Sequence, residues 1–258
     1  PLGRWRWPAF GLVVSWLTLS LGLPLAALGM WAWRGLTGQG STLASRSNRS
    51  LTDLVEPALN TVGIGAVTAV VAVLVLLPIA YLGARYRASA SDFAHGLVST
   101  GFALPGLVVG LAIITWALEF NQVLSLYQTL PLLILAYVLN QGAQAVRAAQ
   151  VAVAAVPRRL DEAARMLGAG RVRRFFSVDL PLMVPGLAAA AGLVLLTTMK
   201  ELPVTLLVRP NGFDTLAVRI WRDTDNVFLA EAGLTSLVLV ALSGVLTWLL
   251  VIRRADHL

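Results

Sequence analysis

The sequence predicts an all-α membrane protein with six transmembrane helices and a cytoplasmic loop between helices four and five. Apolar residues make up 57% of its 258 residues and charged residues 13%, whereas a soluble domain is typically ~45–50% apolar and ~25% charged. A soluble globule of this length has no interior large enough for so much hydrocarbon, so the composition indicates a lipid bilayer. The same balance excludes a disordered chain.

Several kinds of chemistry are excluded by residue counts. The sequence has no cysteine and two histidines, His95 and His257. We therefore expect no disulfide, no thiol nucleophile, no metal site and no other cofactor. The sequence also lacks a Gly-rich Lys-Ser/Thr phosphate loop, a G-x-S-x-G elbow and an H-E-x-x-H motif. The chain is thus not expected to be an enzyme.

Six runs are long and apolar enough to cross a bilayer, which takes about 20 mostly apolar residues in a helix. They lie at about 10–33, 57–84, 97–120, 129–149, 182–199 and 228–252. The connecting segments are polar or short, so we expect one transmembrane domain over residues 1–258. Three prolines, Pro24, Pro78 and Pro105, fall inside these runs and are expected to kink the helices.

The distribution of basic residues predicts the orientation. With a cytoplasmic N-terminus, the inner segments carry 13 of the 20 basic residues and the outer segments carry 7. By the positive-inside rule, both termini of this chain are expected in the cytoplasm. The net charge of +7 is therefore interpreted as a topology signal directed at membrane lipid, and not as a nucleic-acid-binding surface. Because the chain opens with Pro1, we expect it to be a piece of a longer polypeptide.

The loop 150–181 carries the most specific pattern. Seven arginines and two acidic residues between Arg147 and Arg174 give that stretch a net charge of +5. Leu160, Ala163, Ala164 and Leu167 recur at helical spacing after Pro157, which suits a first helical turn. Gly168 and Gly170 can end that helix, a second short helix follows, and Pro181 restarts the chain at the membrane. Helices this short are marginal alone and need a partner surface, either lipid headgroups or a protein groove.

This loop resembles a pattern of the membrane subunits of binding-protein-dependent ATP-binding-cassette importers (type I fold). That pattern reads E-A-A, three residues, G, nine residues, I, one residue, L-P. Here Glu162-Ala163-Ala164 is followed at the right spacing by Gly168, and Val178 replaces isoleucine before Leu180-Pro181. The resemblance implies a permease of the bacterial inner (plasma) membrane. It implies a coupling helix that docks on a cytoplasmic ATPase dimer through Glu162, Ala163, Ala164, Arg165, Leu167 and Gly168. The other implied partners are a second six-span half and an extracytoplasmic substrate-binding protein.

The outward end of span five holds the second informative stretch. Pro203 disfavours helix at Leu202, so the span is expected to break near Lys200–Glu201. Asn211-Gly212 indicates a turn, and Asp214 or Thr215 is expected to cap a short helix through Trp221. Ionisable residues at membrane depth suggest function, while placement at the interface is the structural alternative. We therefore consider Lys200, Glu201, Arg209 and Glu119 as residues of a substrate pathway or gate.

The phrase K-E-L-P-x-T-L-L-x-R-P over residues 200–210, followed by G-F-x-T-L-A over 212–217, resembles the ferric-iron branch of these permeases. Many members of that branch are fused proteins with two six-span halves, so the resemblance implies the C-terminal half of an iron(III) permease. Relatives with other cargo share the scaffold, so another cation or a small organic solute is the alternative substrate. A secondary transporter is a weaker alternative, because the spans are nearly free of charge and such a carrier has no need of the coupling pattern.

Overall fold

The computed structural model describes residues 3–37, 51–85, 96, 104–120 and 125–252, and the regular structure in them is helical. Chain contacts divide the protein into two compact units, each built from two separate stretches of sequence. Unit 1 comprises Pro1–Ala58 and Leu216–Leu242, and unit 2 comprises Leu59–Thr215 and Ser243–Leu258. The helices of the described residues are distributed over these two units.

In chain order the α-helices are α1 (Arg6–Leu17), α2 (Leu23–Leu36), α3 (Val55–Arg85), α4 (Gly106–Glu119), α5 (Leu130–Ala154), α6 (Arg158–Met166), α7 (Arg171–Arg174), α8 (Leu180–Thr198), α9 (Pro203–Val208), α10 (Leu216–Asp225) and α11 (Leu229–Thr247).

Four continuous helices in the described residues are long and apolar enough to cross a membrane. They are Arg6–Leu36, Thr52–Arg85, Arg171–Thr198 and Leu229–Leu250, and they cover the first, second, fifth and sixth predicted runs. The third run is represented by α4, a shorter apolar helix of 14 residues, and residues 97–103 of that run lie outside the description. Pro105 is extended and stands directly before α4, so the prediction that it lies inside a helix was wrong.

The fourth predicted run forms α5, a helix of 25 residues that is long enough to span but more polar than the other four. Asn140, Gln141, Gln144 and Arg147 lie around its middle and lower its mean hydropathy. Gln141 is buried within the protein. In a bilayer, side chains of this kind are tolerated where they face the interior of a helix bundle, and α5 supplies many of the buried residues of unit 2.

Two of the long helices contain a proline just after a π-helical turn. The turn Thr18–Gly22 precedes Pro24, and the turn Phe175–Asp179 precedes Pro181. Proline cannot donate the normal backbone hydrogen bond and crowds the preceding turn, and a wider turn gives that segment more room. Pro181 therefore lies within a continuous helix, and the prediction that the chain restarts there was wrong.

Small residues set the helix contacts within each unit. In unit 1, a Cβ built on Gly233 of α11 would lie 2.9 Å from the Cβ of Trp31 of α2. In unit 2, a Cβ built on Gly186 of α8 would lie 2.5 Å from the Cβ of Ala152 of α5. Such close backbone approach is how helices associate where lipid offers no hydrophobic driving force between them.

A buried apolar cluster in unit 2 joins α3, α4, α5 and α9. Its buried members are Ile64, Val109, Ile113, Ala117, Leu132, Leu133, Ala136, Tyr137, Val204 and Val208. Because α9 is only six residues long, its position is determined by this packing and not by its own helical stability. The cluster thus fixes the segment that follows the end of α8.

Candidate functional site

The helix predicted in the loop between runs four and five is α6. Pro157 is extended (φ −62°, ψ 132°) and immediately precedes the helix, and its carbonyl accepts a hydrogen bond from the Leu160 N–H at 3.1 Å. It therefore stands at the N-cap and not in the first turn, one position before its predicted place. The geometry still suits proline, since its fixed φ fits the entry to a helix and its missing N–H is not needed there.

Gly168 ends α6 in a Schellman motif. Its φ is +76°, its N–H donates to the Arg165 carbonyl at 2.9 Å, and the next N–H, of Ala169, donates to the Ala164 carbonyl at 3.0 Å. This paired arrangement satisfies carbonyls that the helix end leaves free, and glycine is favoured because the left-handed conformation costs it nothing. A Cβ at Gly168 would meet nothing within 4 Å, so its requirement within this chain is conformational and not steric.

The predicted docking residues lie mainly on the surface. Glu162, Ala163 and Arg165 are exposed, as is Gly168, and Ala164 is buried. The predicted apolar stripe is thus only partly covered, because Leu167 is 88% exposed and the neighbouring Met166 is 89% exposed. Large apolar side chains exposed beside charges on a short helix are typical of a surface that another molecule covers.

The chain breaks where the sequence predicts, after α8. The helix ends at Thr198, the Glu201 N–H donates to the Thr198 carbonyl at 3.0 Å, and α9 begins at Pro203. Lys200 is exposed at this break and Glu201 is half-buried. The Oε1 atom of Glu201 accepts a hydrogen bond from the Val204 N–H at 3.3 Å, so the carboxylate is held at the start of α9.

Glu201 lies within an interior polar cluster, which we define as Tyr137, Asn140, Glu201 and Thr205. The hydroxyls of Tyr137 and Thr205 are 2.6 Å apart, and the Thr205 hydroxyl donates to the Glu201 carbonyl at 2.5 Å. A Cβ built on Gly106 would lie 3.0 Å from Glu201 Oε1 and 3.6 Å from Asn140 Oδ1. The cluster therefore gathers carboxylate, amide and hydroxyl oxygens where α4, α5 and α9 meet.

Arg209 has a different role in the structure. Its guanidinium forms an ion pair with Asp214 and donates a hydrogen bond to the Phe213 carbonyl at 2.9 Å. Between them, Gly212 has a φ of +79° and the Phe213 N–H donates to the Pro210 carbonyl at 3.2 Å, which forms the predicted turn. The helix after this turn, α10, begins at Leu216 and runs past Trp221 to Asp225. Arg209 thus stabilises the loop between α9 and α10.

The four ionisable residues suggested for a pathway do not form one hydrogen-bonded network. Within the described part of the chain, no hydrogen bond or ion pair joins any two of Lys200, Glu201, Arg209 and Glu119, and Glu119 is exposed at the end of α4. The structure instead brings Glu201 together with Tyr137, Asn140 and Thr205, which sequence reasoning missed. The signal available for Asn140 was an amide-rich stretch inside an otherwise apolar run.

Comparison with known proteins assigns this helical membrane protein to a class. The family described as binding-protein-dependent transport system inner membrane component matches residues 76–255. The Fe(3+)-transport system permease protein FbpB 2 of Haemophilus influenzae is 30% identical over 241 residues, which are 93% of this chain and 46% of that protein. A permease protein of Salmonella typhimurium, named provisionally for 2-aminoethylphosphonate transport, is 28% identical over 94% of this chain and 92% of its own length.

Solved structures share the fold. A chain of the MetNI methionine ABC transporter in inward-facing conformations superposes with a TM-score of 0.65 at 20% identity, covering 80% of this chain and 99% of that one. The chain belongs to the family of inner membrane components of binding-protein-dependent transport systems. It is accordingly a multi-pass inner membrane protein, and its relatives are permease proteins, in agreement with the prediction that it is not an enzyme.

Proposed function

We propose that this chain is the membrane-spanning half of an ATP-driven importer and that it moves iron(III). In this proposal a cytoplasmic ATPase dimer supplies the energy, an external binding protein delivers the substrate, and a second six-span half completes the pore. The chain corresponds to 46% of the length of its Haemophilus influenzae relative, which is the share that one half of a fused permease would have, and we propose that it is the C-terminal half.

The observation that supports coupling to an ATPase is the exposed surface of α6. The motif residues Glu162 and Ala163 lie at this surface beside the exposed apolar side chains of Met166 and Leu167. A short helix of this kind fits a groove on a partner protein. Closure of two ATPase subunits around ATP then moves α6 as a lever and shifts the permease between two states. In this proposal α6 and both termini of the chain lie in the cytoplasm.

The observation that favours a cation is the interior polar cluster. Its ionisable carboxylate, on Glu201, is half-buried and is accompanied by the oxygen atoms of Tyr137, Asn140 and Thr205. Ferric ion is hard and prefers oxygen donors. In the described part of the chain, no three histidine, cysteine, aspartate or glutamate side chains lie together in a way that could hold a metal ion. A single carboxylate suits a conduit, because a site that binds too tightly does not release its cargo.

An oxyanion is the second candidate substrate, because one relative is named for phosphonate transport. An anion needs cationic donors, and the interior polar cluster offers none. Arg209 is already paired with Asp214 in a loop, and Lys200 is exposed. These contacts favour the iron(III) proposal over the oxyanion alternative.

The test is uptake in vesicles that contain the complete transporter and its binding protein. We expect an ATPase to co-purify with the chain. We also expect ATP-dependent uptake of labelled Fe(III) that is not reduced by excess phosphonate. Glu201→Gln removes the interior charge while keeping the shape, and uptake is expected to fall about tenfold, which corresponds to ~1.4 kcal/mol.

Glu56→Gln is the matched control, because the same change is made at an exposed position, and it is expected to leave uptake unchanged. Uptake of an oxyanion in place of iron would refute the substrate assignment. Purification of an active transporter without any ATPase would refute the class of mechanism.

A further inference from the structure

Asp179 is a buried acidic residue whose contacts the docking pattern does not explain. It occupies the unspecified position between Val178 and Leu180 at the end of the motif, and its side chain is only 1% exposed. Burying a carboxylate is unfavourable unless charge or hydrogen bonds compensate for the lost water. The compensation comes from a helix nearly one hundred residues earlier in the chain.

Two residues near the end of α3 hold this carboxylate. The Tyr81 hydroxyl donates a hydrogen bond to Asp179 Oδ2 at 2.7 Å, and Arg85 Nη2 lies 3.4 Å from Asp179 Oδ1 in an ion pair. The Arg85 side chain is itself only 10% exposed. Tyr81 also packs edge-to-face on Phe175, with ring centroids 5.4 Å apart. We call Tyr81, Arg85 and Asp179 the clasp.

The clasp lies at the point where α6 contacts the long helix that continues into α8. Asp179 is the last residue of the π-helical turn 175–179, which joins α7 to α8 within one continuous helix, and α6 contacts this turn. A force on α6 therefore reaches α8 through the chain itself. It reaches α3 through the clasp, which connects two charged groups that water screens little.

We infer that Asp179 is a positioning residue that couples the docking helix α6 to α3, so that α3 and α8 move together when the ATPase closes. This inference rests on the proposed function of α6. Without the clasp, α6 still docks and the ATPase still hydrolyses ATP. The movement then reaches α8 but is not passed to α3, so transport fails while hydrolysis continues.

The experiment measures ATP hydrolysis and substrate uptake together in vesicles containing the complete transporter, using labelled Fe(III) and the binding protein. Asp179→Asn keeps the hydrogen bond from Tyr81 but removes the ion pair. We expect ATPase activity within about twofold of the unaltered protein and at least a fivefold increase in ATP hydrolysed per ion transported. Arg85→Gln is expected to give the same result, whereas Arg173→Gln, which removes an exposed arginine of the same segment, leaves the ratio unchanged.

A double variant tests whether the effect of the single changes comes from the lost ion pair or from misfolding. Reversing the pair, with Arg85→Asp and Asp179→Arg in one chain, removes both native groups without stranding one buried charge, and it is expected to restore most of the coupling. If Asp179→Asn and Arg85→Gln change hydrolysis and uptake in proportion, the residues serve folding alone and the inference is overturned.

A parallel variant distinguishes this inference from the proposed function. Glu162→Ala alters the docking surface and not the clasp, and it is expected to lower uptake by weakening the response to the ATPase. If Glu162→Ala impairs transport while both clasp variants couple normally, the clasp is refuted and the docking proposal stands. If Glu162→Ala also leaves transport intact, both are refuted.

Discussion

At the scale of single residues, two positions of the docking motif have physical roles within this chain. Gly168 adopts a φ of +76°, which glycine tolerates and which most other residues enter at a cost of ~1–2 kcal/mol. Ala164 is buried, so its small side chain is compatible with packing against the rest of the loop. Glu162, by contrast, is exposed, and its importance rests on what binds there.

The φ of Gly168 leads to a prediction about the end of α6. Asparagine enters the left-handed conformation more readily than other non-glycine residues, whereas a β-branched residue is least tolerant of it. We expect Gly168→Asn to retain most ATP-coupled uptake and Gly168→Val to lose it, although a Cβ at this site meets no neighbour within 4 Å.

The comparison is made by measuring uptake in vesicles at equal protein content in the membrane. Equal loss in both variants would mean that the ATPase requires a bare backbone at Gly168, and that the helix end is not the reason for glycine there.

At the scale of helices, the contacts depend on small residues and on the widened turns that accompany proline. The π-helical turns at 18–22 and 175–179 allow Pro24 and Pro181 to remain in long continuous helices. Close approach between α5 and α8 depends on Gly186 facing Ala152. A helix pair of this kind loses its fit when one methyl group is added on the shared face.

This contact predicts a specific suppression. Gly186→Ala places a Cβ where the structure leaves 2.5 Å to Ala152 Cβ, and we expect a loss of about 1–3 kcal/mol in stability from overpacking. Adding Ala152→Gly removes the opposing methyl group and is expected to recover most of the loss.

Thermal unfolding of the purified protein in detergent provides the measurement. Gly63→Ala is the control, because a Cβ there meets nothing within 4 Å. If the double variant is no more stable than Gly186→Ala alone, α5 and α8 do not pack in this way.

At the scale of the whole molecule, the decisive property is orientation in the membrane. The basic residues predict a cytoplasmic position for the loop that contains α6 and an external position for the turn at Asn211. Both Met166 and Asn211 are exposed, and the sequence has no cysteine. The protein is therefore suited to labelling at single introduced cysteines without altering native ones.

We expect Met166→Cys to react with a membrane-impermeant maleimide only in inside-out vesicles, and Asn211→Cys to react only in right-side-out ones. The unaltered chain, which has no thiol, should take up no label in either preparation. Labelling of both positions from the same side would contradict the predicted topology and, with it, the docking of α6 on a cytoplasmic ATPase.

The sequence predicted more of the fold than of the candidate site. Hydropathy located four helices that are long and apolar enough to cross a bilayer, because that signal is local and strong. It did not place Pro105 before α4 or keep Pro181 inside a helix, because local rules for proline are overridden by packing and by widened turns. At the break after α8, Pro203 predicted the end of the helix, but it did not predict that Tyr137 and Asn140 of α5 would lie beside Glu201 and Thr205.

What the sequence alone determined is the membrane class and the short helix that ends at Gly168, because composition, helical spacing and turn chemistry act over short stretches of chain. What only the tertiary structure decided is which distant residues meet. Tyr137 lies 68 residues from Thr205, and Tyr81 lies 98 residues from Asp179. Such pairs are fixed by the packing of several helices at once, and no local pattern specifies them.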